Sequence, residues 1–273
     1  MKPIFEGAAT AIVTPLTENG VDVSGLSVDE KARTTLAVVA LDEKGERTFS
    51  FYRDPSADVN LRAEEISDEQ LKNTKFLHFG SVSLTTDPAR SATLHAAKTA
   101  KGYGAVISYD PNYRASLWSD EATAVERMLE PLAMVDVLKV SDEELPLLTG
   151  TEDLEEGSRI LADKGIALVL VTLGANGAFY RFKGCTGHVP GMKVKVGDTN
   201  GAGDTFFGAT LAQLAQFDTL DAITTEELEQ ILTVSNKAAG ITTSRHGAIP
   251  AMPTKEDLDY EVNEQLVVEL YSK

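Results

Sequence analysis

The sequence predicts an α/β fold, and three observations carry that reading. From Ser67 onward, short apolar or β-branched runs alternate with amphipathic stretches of helical length. With 42% hydrophobic and 25% charged residues over 273 positions, the chain has the material for a sizeable core. No run of about 18 apolar residues interrupts the pattern, so nothing in the sequence reads as a membrane span. Strands alternating with helices imply βαβ units and a mostly parallel sheet covered on both faces.

The elements follow in order. Thr35 to Leu41 is apolar and β-branched, Asp42-Glu43-Lys44-Gly45 is a turn signal, and Arg47 to Tyr52 is a second strand. Together they read as a β-hairpin outside the βα rhythm, with Phe49 and Phe51 on a covered face. Ser67 is placed to cap a helix over Asp68 to Asn73, and Phe76 to Phe79 is a short strand. Helices are expected over Asp87 to Lys101, Asp120 to Ala133 and Glu152 to Lys164, with strands over Ala105 to Tyr109, Val135 to Val140 and Ala167 to Thr172. Ser141 caps a helix whose first turn holds Asp142, Glu143 and Glu144, which suits the helix dipole. Ala178 to Phe182 and Lys193 to Val196 read as further strands, and Gly203 to Phe217 and Thr224 to Thr243 as helices. Met1 to Thr14 reads as one more strand.

Charge and cysteine usage narrow the function. A formal net charge of −17 argues against DNA or RNA as a partner, because a phosphate backbone needs a basic face. It permits a small anion held by local N–H groups and a bound cation. Cys185 is the only cysteine, so no disulfide forms within the chain, which suits a reducing cytoplasm. It reads as a small buried or half-buried residue near a turn. Met1 to Gly20, with Pro3, Glu6 and Pro15, is not a secretory signal.

The densest chemistry lies at Gly197 to Gly203, three glycines in seven residues between a strand-like run and a helix. Amides at such a turn converge on one spot, and the helix start adds a positive dipole end. Asp204 stands in the first turn, where a carboxylate would repel a phosphate unless it accepts a proton from an attacking hydroxyl. The alternative is a tight connection with Asp204 as a helix cap.

Asp198-Thr199-Asn200-Gly201-Ala202-Gly203-Asp204, followed by Thr205-Phe206, resembles the signature of the PfkB (ribokinase-like) carbohydrate kinases. The resemblance implies that Gly201, Ala202 and Gly203 cradle the transferring phosphoryl group, with Asp204 as catalytic base beside Asp198 and Thr199. Asp110-Pro111-Asn112-Tyr113-Arg114 resembles the family's D-x-N-x-R, which places Asp110, Asn112 and Arg114 at the phosphates and acceptor. Lys139 to Glu144 resembles the N-x-x-E region, so Glu144 would arrange Mg²⁺ through water; Ser141 stands where asparagine is usual. Thr172-Leu173-Gly174-Ala175-Asn176-Gly177 resembles the nucleotide loop, implicating Thr172, Gly174 and Gly177. Ser235-Asn236-Lys237 and Arg245-His246-Gly247-Ala248 resemble the adenine-side helix and the loop after it, implicating Asn236 and Gly247. The hairpin resembles the family's β-lid, most like that of bacterial fructokinases.

The implied fold is a ribokinase-like three-layer α/β/α sandwich with a small β-lid. The implied division is a non-family segment at 1–22, the lid region at 23–60 and the α/β nucleotide-binding and catalytic core at 61–273. ATP and Mg²⁺ are the implied cofactors, with a monovalent cation such as K⁺. The implied partners are a sugar and ATP, no nucleic acid and no membrane, with a homodimer as the assembly. The expected activity is transfer of the γ-phosphoryl group of ATP to a sugar hydroxyl, with fructose first. Residues 4–15 instead resemble the first strand of dihydrodipicolinate synthase, so a two-gene junction near Gly20-Val21-Asp22 is expected. The family's sugar-binding strand and N-x-G-G-x-x-x-N stretch are not found, so impaired sugar binding is expected. The alternative is a catalytically inactive nucleotide-binding or interaction protein.

Overall fold

The computed structural model describes residues 12–41, 47–53 and 56–258. The chain divides into two compact units, residues 1–135 and 136–273.

In the first unit, residues 12–18 form helix α1. The strand expected over Met1 to Thr14 is therefore corrected where it is described, at 12–14; its residues 1–11 lie outside the described residues. Strands β1 (Leu36–Leu41) and β2 (Arg47–Tyr52) pair antiparallel, Leu36 opposite Tyr52. The turn between them lies outside the described residues. Phe51 is half-buried, while Leu36, Val38 and Tyr52 on the other face are exposed. Arg53 anchors the hairpin's end, donating to Asp58 Oδ2 at 2.7 Å, Thr85 Oγ1 at 2.7 Å and the Val82 carbonyl at 2.9 Å.

Helix α2 (Asp68–Asn73) starts where the Ser67 hydroxyl accepts from the Gln70 amide. Strands β3 (Phe76–Gly80) and β4 (Val106–Asp110) pair parallel through α3 (Ala89–Gly102), and α4 (Glu121–Leu129) follows. The α3 pattern explains its docking: Ala92, Ala96, Ala97 and Ala100 recur at three- and four-residue steps and are all buried. Each methyl removed from water contributes about 0.8 kcal/mol. The small side chains bring the helix close to Ile107 and Tyr109, both fully buried; the Tyr109 ring stacks on Phe79 at 4.7 Å.

The second unit holds β5 (Val137–Ser141), α5 (Glu144–Thr149), α6 (Leu154–Ala162), β6 (Leu168–Thr172), β7 (Ala178–Phe182), β8 (Cys185–Val189), α7 (Ala202–Leu214) and α8 (Thr225–Ser244). Strand β5 runs parallel to β6, while β6–β7 and β7–β8 are antiparallel, so the sheet is mixed rather than mostly parallel. Leu168 to Val171 of β6 are fully buried, as a strand covered on both faces requires.

Two expectations are corrected here. Lys193 to Val196 is not a strand, and Cys185 to Val189 is. The β7–β8 connection is two residues, Lys183 and Gly184, at φ +50° and +75°, the left-handed pair that turns a tight hairpin. Cys185 opens the edge strand β8 beside that turn and is therefore exposed, not buried or half-buried.

Candidate active site

The second unit encloses a cavity of about 440 Å³ between the β6–β7 turn, the segment 191–199, the start of α7 and one face of α8. Its lining is mainly apolar, with Met192, Val194, Val196, Phe206 and Ala239 among the walls, and polar groups at Thr172, Thr199 and Asn236. Met192, Lys193, Val194 and Val196 all line the cavity while Lys195 does not, so the lysine–valine alternation at 193–196 is not that of a sheet strand. Val196 is 63% exposed and pairs in no sheet.

Close backbone approach builds one wall. Gly177 has φ +92°, and a Cβ there would lie 2.6 Å from the Pro190 carbonyl carbon and nearer still to Val189 O and Gly191 N. Gly191 in turn lies against the Ala175 carbonyl. Asn236, buried on α8, spends its amide N–H groups on the carbonyls of Val189 at 3.0 Å and Pro190 at 3.2 Å. Its side-chain oxygen is the acceptor that remains for a ligand.

The glycine turn forms the other end. Gly201, at φ +77°, is the residue before α7, and no side chain caps this helix. The Thr205 amide closes on the Gly201 carbonyl at 2.8 Å, and the Ala202 amide lies 3.3 Å from the Thr199 carbonyl. The first-turn amides at Gly203 and Asp204 accordingly meet no capping group, which makes an anion site. Asp204 is exposed in that turn. Asp198 braces the turn: its carboxylate accepts from the Asn200 amide at 2.8 Å and from the Gly247 amide at 3.2 Å. Gly247, at φ +101°, belongs to a loop that Arg245 pins to Asp257, two guanidinium N–H groups reaching its carboxylate at 2.8 and 3.1 Å. The guanidinium holds the Asp257 carboxyl down at about 2.

The structure thus brings together Thr172, Gly174, Gly177, Thr199, Ala202, Gly203 and Asn236 around one cavity, with Gly201, Asp204, Asp198 and Gly247 at or beside the start of α7. Glu144 is 8% exposed; its Oε2 accepts from the Ser141 amide at 2.8 Å while the Ser141 hydroxyl accepts from the Glu144 amide at 3.1 Å. The expected Ser141 cap is real, although α5 begins only at Glu144. Asp110, Asn112 and Arg114 belong to the first unit. Asp110 ends β4 at 4% exposure and accepts from the Asn112 amide at 3.1 Å, and Asn112 is left-handed at φ +48°. Among the described residues, no group of three or more His, Cys, Asp or Glu side chains could hold a metal ion, and no helix is long and apolar enough to cross a membrane.

Sequence reasoning missed the apolar walls at Met192, Val194 and Phe206, and the buried Lys139 beneath Gly203. The nearest signal for the walls was the alternation itself.

Comparison with known proteins agrees with this geometry. The family model described as pfkB family carbohydrate kinase matches residues 7–255, so the match begins before the Gly20 start that the motifs suggested. A probable fructokinase-4 of Arabidopsis thaliana is 41% identical over 247 residues, 89% of this chain and 74% of the relative. A fructokinase from Xylella fastidiosa, solved with bound ATP, superposes with a TM-score of 0.83 at 32% identity, covering 94% of this chain and 80% of that one. A double mutant of the Vibrio cholerae O395 fructokinase, solved with fructose, ADP and a potassium ion, gives 0.84 at 36% identity, covering 91% and 79%. The ribokinase-like α/β fold, the uncapped glycine turn with its aspartate and these matches together make the chain a member of the pfkB family of carbohydrate kinases.

Proposed function

We propose that the chain transfers the γ-phosphoryl group of ATP to a hydroxyl of fructose. The observation that carries this is the start of α7: uncapped amides and one exposed carboxylate, Asp204, at the end of a nucleotide-sized cavity. The sugar oxygen forms a bond to the γ-phosphorus, the β–γ bridging P–O bond breaks, and ADP leaves with that electron pair. The hydroxyl proton passes to Asp204. Proton acceptance of this kind typically contributes about 10²–10⁴-fold. The Gly201 to Gly203 turn holds the transferred group, and one such backbone donor can contribute about 10²–10³-fold.

The nucleotide lies along Thr172 to Gly177 and Asn236 to Gly247. Asp110, Asn112 and Arg114 are assigned to phosphates and acceptor on their motif alone. The donor set suits Mg²⁺, which keeps several waters and takes one or two carboxylates plus substrate phosphates. Glu144 would hold it through water, and the ion would neutralise charge on the phosphates. The Asp198–Gly247 link marks the place proposed for a monovalent cation such as K⁺.

The test is Asp204→Asn in a coupled ADP-release assay across several sugars, with ATP binding followed by calorimetry. Turnover is expected to fall by about 10²-fold or more while ATP affinity stays within about threefold. Full turnover by this variant, or no sugar-dependent ADP release by the wild type, refutes the reading.

A further inference from the structure

We infer that Lys139 is a positioning residue whose buried ammonium sets the charge beneath the phosphoryl cradle, an inference that rests on the kinase reading above. Lysine is almost never fully buried unless it is paired, so a buried one is held in place by its surroundings. Lys139 is 6% exposed in the middle of β5, between Leu138 and Val140 at 0%. Strand alternation puts Val137, Lys139 and Ser141 on one face. The start of α7 lies over that face: a Cβ on Gly203 would stand 3.3 Å from the Lys139 Nζ and 3.8 Å from its Cε. The missing side chain at 203 lets the ammonium come up against the second residue of the helix, directly behind the uncapped first turn.

A cation held there acts through little solvent, so its field at the cradle is stronger than that of an exposed lysine. Lys193 and Lys195 are exposed and screened by salt. Lys139 adds positive potential to the helix start and holds Gly203 where its amide meets the transferring group.

The test uses the full chain as wild type, Lys139→Met and Lys139→Arg. The readouts are thermal melting, ADP titration, titration with ADP plus aluminium fluoride and fructose, and coupled turnover. Lys139→Met is expected to melt with the wild type and to bind ADP within about threefold. Its kcat should fall about 10²-fold with KM for ATP little changed, and its affinity for the fluoride complex should fall by a similar factor. Lys139→Arg, which keeps the charge, should recover about tenfold of the loss. Unchanged kcat overturns the inference, and so does a loss of ADP affinity and melting point in step with kcat, which marks a purely structural role. If Lys139→Met does not fold, Lys139→Arg decides: ADP binding with the fluoride complex kept supports the role, and ADP binding with it lost overturns it. If the wild type phosphorylates no sugar, the kinase reading falls separately. The fluoride titration then judges Lys139, with equal affinity in wild type and Lys139→Met overturning it and a loss confined to Lys139→Met supporting it.

Discussion

Alanine at Gly177 and alanine at Gly201 add the same methyl to two left-handed glycines, yet the surroundings predict very different outcomes. At Gly201 the new Cβ would meet only Ala248, at 3.6 Å, an ordinary contact. What remains is the left-handed backbone, which costs an L-residue roughly 1–2 kcal/mol. At about 2–4 °C per kcal/mol for a chain near this size, melting should fall by about 2–8 °C. Gly177 has φ +92° and ψ −132°, a region that is essentially glycine's alone. Its Cβ would sit 2.6 Å from the Pro190 carbonyl carbon, with Val189 O and Gly191 N closer. All three are backbone atoms, so no rotamer relieves the overlap; the exit of β8 must move by roughly 1 Å to reach van der Waals contact. Strain and displacement together should exceed about 4 kcal/mol, which is about 8–16 °C. Because Gly177 and Gly191 both line the cavity, ATP affinity should fall more than about tenfold for Gly177→Ala. Thermal melts and nucleotide titrations on both variants check this. A Gly177→Ala protein melting within about 2 °C of the wild type would show that this wall is looser than the geometry requires.

Other perturbations test the supports of the same site. Asp198→Asn keeps the shape but removes the charge from the bonds to the Asn200 and Gly247 amides. Calorimetry should show ATP binding weakened by about 1–2 kcal/mol, or roughly 5–30-fold. Thr224→Ala removes the box in which the Thr224 hydroxyl accepts from the Glu227 amide and Glu227 accepts from the Thr224 amide, so α8 should lose about 1 kcal/mol and the melt about 2–4 °C. The Asp257 carboxyl, held at about 2 against an ordinary 3.8, has its folded-state value depressed. Its contribution is therefore present above about 3.8 and drains as pH falls towards 2. A carboxyl titration by NMR should place Asp257 near 2 in the wild type and higher in Arg245→Met, where the Thr254 amide and hydroxyl still hold it below the ordinary value.

Much of the fold was legible because local chemistry and tertiary packing agree in it. Ser67 and Ser141 each cap where a small hydroxyl before an acidic turn says they should, whereas Thr224, read as the first helical residue, proves to be the cap of α8. The apolar run at 168–171 could only be a strand buried on both faces. Cys185 to Val189 was missed because an edge strand carries little apolar signal, and its Lys183-Gly184 turn lacks the usual Asn or Asp.

The site divides along a similar physical line. Glycines at 177, 201 and 247 announce positive φ, and Asp204 stands out because a carboxylate at a phosphate site needs a task. The cavity walls announce nothing. Lys193 to Val196 looks like a strand because its lysines alternate with valines, although Lys193 lines the cavity together with Met192, Val194 and Val196. Lys139 was invisible for a related reason: inside an apolar run its charge reads as a surface position, and only the packing of Gly203 over it turns that face inward. A lysine in a strand and a glycine some sixty residues later form one device because the fold stacks a helix start on a strand. No spacing rule within either segment contains that fact.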